Sequence, residues 1–141
     1  MFFGEFGYKL DEKGRVPLPP KFRRAFEGGV VLAPGIERCI NAYTLPEWTK
    51  IADSLTSSPV TPAKLRRLTR AIFATAFSTE LDRQGRVALP PPLRAHAGIK
   101  DEVVIAGANN YLEIWSKELW DDEKVTSQQE VWQIVESLEK R

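Results

Sequence analysis

Two five-residue patterns set an aspartate and an arginine at one spacing: Asp11-Glu12-Lys13-Gly14-Arg15 and Asp82-Arg83-Gln84-Gly85-Arg86. Two chemistries are open to them. Asp11 and Asp82, brought together across an internal pseudo-twofold axis, could share a proton and activate water. Arg15 and Arg86, held at the ends of short strands, could instead reach guanine O6 and N7 in a major groove, where a two-stranded β element fits. Each aspartate opens a predicted solvent-facing turn with an arginine four positions on, which favours permanent ionisation, and the chain contains no Asp-Thr-Gly or Asp-Ser-Gly. That weighs against an enzyme and leaves, for the turns taken alone, either a solvated charged surface or a nucleic-acid-binding face. On such a binding face, Arg15 and Arg86 read bases, Lys13 and Arg83 at the outer tips hold phosphates, and Asp11, Gly14, Asp82 and Gly85 build the turns and orient the arginines.

The elements that carry these residues are repeated with them. Leu10-Asp11-Glu12-Lys13-Gly14-Arg15-Val16-Pro17-Leu18-Pro19-Pro20 returns as Leu81-Asp82-Arg83-Gln84-Gly85-Arg86-Val87-Ala88-Leu89-Pro90-Pro91, and the match runs on through Phe22/Leu93 and Arg23/Arg94. Aspartate suits the first position of a type I turn and glycine the fourth, so each copy reads as strand, turn, strand, with Leu10, Val16 and Leu18 facing a core. Proline at a first helical position predicts a short helix next, buried through Phe22/Phe26 or Leu93/Ala97 and stopped by Gly28 or Gly98. Apolar runs at Val30–Leu32, Ile40–Tyr43, Val103–Ile105 and Leu112–Trp115 predict two further strands per copy.

Between and after the copies the apolar period becomes helical. Thr44 with Glu47 forms a capping-box pattern ahead of the stripe Trp48, Ile51, Ala52, Leu55. Thr61-Pro62 opens a second helix, with Leu65, Leu68, Ile72 and Ala76 inward and Lys64, Arg66, Arg67 and Arg70 outward. A last helix is predicted from near Ser127, burying Val131, Ile134, Val135 and Leu138. The four Trp residues read as core or subunit-interface residues, and His96 as a helix-surface or packing residue.

Charge is uneven along the chain. Residues 1–26 carry six Lys/Arg against three Asp/Glu and residues 60–100 eight against two, whereas residues 101–141 carry four against ten. Both basic segments hold a copy of the repeat, which fits a polyanion as partner; pairing of the basic middle with the acidic tail would explain the same counts. One Cys and one His exclude an intramolecular disulfide and a zinc site, so no metal or cofactor is expected. With no apolar run near 20 residues and no secretory-type start, a cytosolic protein is expected.

Two Asp-x-x-x-Arg turns, each followed by Leu-Pro-Pro, with a Phe-Gly-Glu start and Trp48 and Trp120 in matching places, resemble the MraZ family of bacterial regulators across essentially the whole chain. The resemblance implies a mainly β fold with flanking α-helices: a swapped-hairpin β-barrel in which two SpoVT-AbrB-like repeats, 5–48 and 76–120, form a pseudo-dimer. Residues 49–75 would be linking helices and 121–141 a C-terminal helix. It further implies ring-shaped homo-oligomers in the cytoplasm, associated with the nucleoid. These would bind tandem boxes in double-stranded DNA and repress the division and cell-wall gene cluster, including their own operon. The family's motif arginines fall on Arg15 and Arg86 and its aspartates on Asp11 and Asp82. The alternative is a structural or antitoxin-like ring without specific DNA readout.

Overall fold

Each copy of the repeat lays down four strands and one short helix, and a longer helical segment follows each. In chain order a computed structural model has β1 (Glu5–Lys9), β2 (Arg15–Pro17), a 3₁₀ helix (Pro20–Phe26), β3 (Val30–Pro34), β4 (Ile40–Tyr43), α1 (Leu45–Thr56), α2 (Pro62–Phe73), β5 (Phe77–Thr79), β6 (Arg86–Ala88), α3 (Pro91–Ala97), β7 (Glu102–Gly107), β8 (Leu112–Ser116) and α4 (Lys117–Glu139). The structure describes residues 1–140; residue 141, the end of the predicted C-terminal helix, lies outside them. Among the described residues no helix is long and apolar enough to cross a membrane.

Pairing runs within each copy at β3/β4 and β7/β8, and between the copies at β1/β7, β4/β8, β3/β5 and β2/β6. Six strands form one sheet in the order β1-β7-β8-β4-β3-β5, and β2 and β6 form a separate two-stranded ribbon. The main sheet does not close into the expected barrel: β1 and β5 are its two edges. The ribbon strands are three residues long and run into Pro17-Leu18-Pro19-Pro20 and Leu89-Pro90-Pro91-Pro92. Prolines lack the N–H needed to carry a ladder onward into the larger sheet. The predicted ladder of β1 with β2 is also corrected: β1 pairs antiparallel with β7, Phe6 opposite Ile105, while β2 pairs with β6, Val16 opposite Val87.

One core serves both copies. Val16, Leu18, Phe22, Phe26, Val87, Leu89, Leu93 and Ala97 are buried together with inward residues of β3, β4, β7 and β8. Leu10 and Leu81 pack half-buried at its margin. Phe26 and Ala97, equivalent in the repeat, differ greatly in volume; Phe2 enters on the Phe26 side, its ring 5.4 Å from Phe26 and 5.1 Å from Phe22. Removing such a ring typically costs about 3–5 kcal/mol.

The short helices end as glycine allows, with one change. Gly98 takes a left-handed conformation at φ 63° and closes α3. In the first copy the left-handed residue is Gly29, φ 127°, whose N–H reaches the Phe26 carbonyl at 3.0 Å; it does the work expected of Gly28.

The longer helices depart most from expectation. α1 is capped by Thr44, whose hydroxyl accepts from the Glu47 N–H, and α2 by Thr61 in the same way. Their predicted stripes stay only half-buried, and Leu68 of the α2 stripe lines an open patch with Val60 and Ala71. α4 starts at Lys117, ten residues before the predicted Ser127, because Ser116 takes the cap by accepting from the Leu119 N–H at 3.2 Å. Ser127 lies inside the helix and donates to Glu123. Val131, Ile134 and Leu138, expected to be buried, are 42%, 56% and 58% exposed, and Val135 is half-buried.

Candidate nucleic-acid interface

The β2/β6 ribbon draws the two Asp/Arg turns into one place. Each turn is built by its aspartate: Asp11 Oδ1 accepts from the Lys13 and Arg15 N–H groups at 2.9 and 2.8 Å, and Asp82 Oδ1 from those of Gln84 and Arg86 at 2.9 Å each. Gly14 and Gly85 both stand at φ 75°, a conformation that costs an L side chain roughly 1–2 kcal/mol. Their carbonyls then accept from the opposite copy, Gly14 from the Leu89 N–H and Gly85 from that of Leu18. The glycines thus allow the turns and tie the copies together.

Arg15, Asp11, Arg86 and Asp82 form a quartet. Arg15 Nε donates to Asp11 Oδ2 and Arg86 Nε to Asp82 Oδ2, both at 2.8 Å. Across the ribbon, Arg15 Nη1 lies 3.8 Å from Asp82 Oδ2 and Arg86 Nη1 3.5 Å from Asp11 Oδ2. These cross distances exceed those of charge-assisted hydrogen bonds, so the outer guanidinium nitrogens keep donor capacity for a ligand. The four side chains are 27–32% exposed, half-sheltered but open outward. Val16 and Val87 point to the core, which places Arg15 and Arg86 on the ribbon's outer face.

The aspartates are held ionised. Both carboxyls lie below the ordinary carboxylate range, foremost because each accepts the backbone N–H of its own arginine, with that arginine's side chain adding to the effect and partial desolvation opposing it. A carboxylate pair sharing a catalytic proton needs the opposite environment, in which one pKa is driven up. Lys13 and Arg83 sit exposed at the turn tips beside the quartet.

Two further arginines frame the site. Arg23 Nε donates to the Leu18 carbonyl and Arg94 Nε to the Leu89 carbonyl, both at 3.0 Å. Each guanidinium lies against the turn glycine of the other copy: Arg94 faces Gly14, where a Cβ would come within 3.1 Å of Cζ, and Arg23 covers Gly85, where a Cβ would collide with it. Base-reading roles assigned from the turns alone overlook this pair. The signal was present in the repeat, since Arg23 and Arg94 recur at the same offset as the motif arginines.

The predicted site residues therefore converge on one pseudo-twofold surface of six cations around two fixed carboxylates. His96 is half-buried on α3, its Nε2 lying 3.1 Å from the Gly35 carbonyl. Cys39 is buried, and burial pushes its thiol up to about 12. Among the described residues no group of His, Cys, Asp and Glu is placed to hold a metal.

Comparison with known proteins gives one answer. A family model described as "MraZ protein, putative antitoxin-like" matches twice, over residues 1–71 and 72–137. A protein of Dehalococcoides mccartyi named Transcriptional regulator MraZ is 60% identical over 140 residues, covering 99% of both chains. Proteins of the same name from Thermus thermophilus and Thermomicrobium roseum are 48% and 43% identical over 122 and 120 residues. These cover 85% of this chain and 85% and 84% of the relatives.

Proposed function

The chain belongs to the MraZ family, and from that membership together with the quartet we infer that it is a transcriptional regulator that binds specific sequences in double-stranded DNA. The single observation that carries this reading is the juxtaposition of Arg15 and Arg86 on one outer face, each oriented by an ionised aspartate and each with outer nitrogens free. A fixed guanidinium offers bidentate donors to guanine in a major groove. Lys13 and Arg83 take the phosphates on either side, and Arg23 and Arg94 add positive potential while holding the turns in place. Pairing of β2 with β6 across the copies supports a swapped-hairpin pseudo-dimer, with 5–48 and 76–120 as its two repeat units, 49–75 linking them and 121–141 completing the chain.

One chain offers a single ribbon, too little surface for the affinities usual at specific sites. We therefore assign tight binding to several chains in a ring engaging tandem boxes at once, where tethering raises the effective concentration at each further box. Following the family resemblance, the boxes lie upstream of the division and cell-wall cluster, binding represses it, and the protein works at the nucleoid.

The test is a titration on the upstream DNA of its own operon at several salt concentrations. Arg15→Ala/Arg86→Ala should remove specific affinity, because each good bidentate contact is worth about 1–3 kcal/mol. Lys13→Ala should weaken specific and random DNA alike and lower the salt slope by about 1. Unchanged affinity in a correctly assembled double-arginine variant would sink the readout. Equal wild-type affinity for operator and random DNA would favour a ring without specific readout.

A further inference from the structure

The two copies carry equivalent grooves that are covered differently. In the first copy, Trp48 of α1 stands over the edge strand β5, in a groove of about 290 Å³ lined by Val31, Leu45, Trp48, Phe73, Ala76 and Phe77. α2 covers it, with the Phe73 ring meeting Trp48 edge-on at 5.3 Å. In the second copy Trp120 of α4 stands over the other edge strand, β1, and the groove grows to about 520 Å³ beside Phe6, Tyr8, Val103 and Val104. Nothing equivalent to α2 covers it among the described residues, and Trp120 Nε1 is enclosed there without an acceptor.

The open groove continues along the free half of α4. Trp120, Lys124, Ser127, Val131, Ile134 and Leu138 follow one another in alternating steps of four and three residues, so they share one face of the helix over roughly 27 Å. Lys124 is tied back to Glu5 at 3.0 Å; beyond it, Val131, Ile134 and Leu138 are exposed. α4 is acidic, with seven Asp/Glu against two Lys, and Glu123 and Glu130 flank the stripe.

The complementary surface is on the same chain, on the helix packed beside α1. α2 carries Lys64, Arg66, Arg67 and Arg70 and no acid. Its outer side holds a second apolar patch of about 430 Å³, formed by Val60, Leu68 and Ala71 between the stems of Lys64 and Arg67. We propose that α2 of one chain docks on α4 of a second chain, with Val60 just ahead of α2 and its Leu68 and Ala71 against Val131, Ile134 and Leu138, and with Lys64 and Arg67 facing Glu123 and Glu130. The contact joins two different surfaces and is head-to-tail, so each chain keeps one free donor helix and one free acceptor helix, the geometry that generates rings or open filaments. Two α4 helices facing each other would instead bring like charges together.

This rests on the ring reading above and adds the surfaces that make it. The test is sedimentation velocity and native mass spectrometry of full-length protein, with circular dichroism confirming each fold. Lys64→Glu/Arg67→Glu on α2 and Glu123→Lys/Glu130→Lys on α4 should each raise the subunit dissociation constant at least tenfold. Mixing the two variant proteins, or combining all four changes in one chain, should restore assembly. Wild-type assemblies that neither reversal weakens would overturn this interface and leave the ring standing; a monomeric wild type would overturn both. Disassembly by Ile134→Glu/Leu138→Glu without any effect of the α2 reversal would show that something other than α2 covers α4, and would also overturn the proposal.

Discussion

The copies agree closely around Asp11 and Asp82 and diverge around Trp48 and Trp120. At the turns the bonds made by the aspartate, the arginine and the glycine in one copy recur in the other, down to the 2.8 Å bond from arginine Nε to aspartate. At the tryptophans one copy is covered by α2 and the other lies open. The reason is mutual dependence. Each turn glycine accepts a bond from the other copy, and each guanidinium lies on the other copy's glycine, so a change on one side is felt on both. The grooves sit at opposite edges of the sheet, where no such coupling binds them, and they were free to acquire different neighbours.

The largest break in the comparison is in the core. Phe26→Ala should cost about 3–5 kcal/mol in urea unfolding, as a buried ring leaves a cavity beside Phe2. The equivalent Ala97 is already small, so Ala97→Gly should cost only about 1 kcal/mol through helix propensity and a lost methyl. Next come the tryptophans. Trp48→Ala should lower the stability of the unassembled chain by about 3 kcal/mol, because it loses packing against Tyr43 and Phe73. Trp120→Ala should cost less than Trp48→Ala in dilute protein, the gap narrowing as concentration rises and assembly covers the groove.

A finer break lies within the symmetric site. Gly14→Ala and Gly85→Ala should each cost about 1–2 kcal/mol for the left-handed backbone, with Gly85→Ala the worse because its new methyl must displace Arg23. Equal losses would show that Arg23 and Arg94 sit alike over both turns.

The smallest effect is acid sensitivity. The folded pKa values of Asp11 and Asp82 lie below the ordinary 3.8, so their contribution is complete above that value and is lost as pH falls through the lowered values. The stability advantage of wild type over Asp11→Asn/Asp82→Asn should therefore be constant from pH 7 to about 5 and shrink toward pH 3 in thermal melts. An advantage that persists at pH 3 would mean that hydrogen bonding and shape, not ionisation, hold the turns.

Local chemistry was legible in the residues: which positions turn, where prolines open helices, and which residues line each helical stripe. Long-range choices were not. Nothing in Arg15-Val16-Pro17 says that its partner is Arg86-Val87-Ala88 and not the strand just before it, since the alternation of inward and outward positions is the same for both. The start of α4 was missed for a local reason. Ser127 with Glu130 matches a capping box, whereas Ser116, the true cap, has Leu119 at the matching place and gives half of that signal. Val131, Ile134 and Leu138 have the spacing of a buried face, but spacing cannot say whether the burying surface belongs to the same molecule.

The pairing of β1 with β7 has a consequence for synthesis. Phe6 and Ile105 are neighbours in the sheet yet roughly 100 residues apart in the chain, so at about 5–20 residues per second the first strand leaves the ribosome some 5–20 s before its partner exists. For that interval β1 and β2 lack the strands they pair with, β7 and β6, and only the β3/β4 pair of the first half can form its ladder, so the nascent half exposes open strand edges and apolar side chains until the second half arrives.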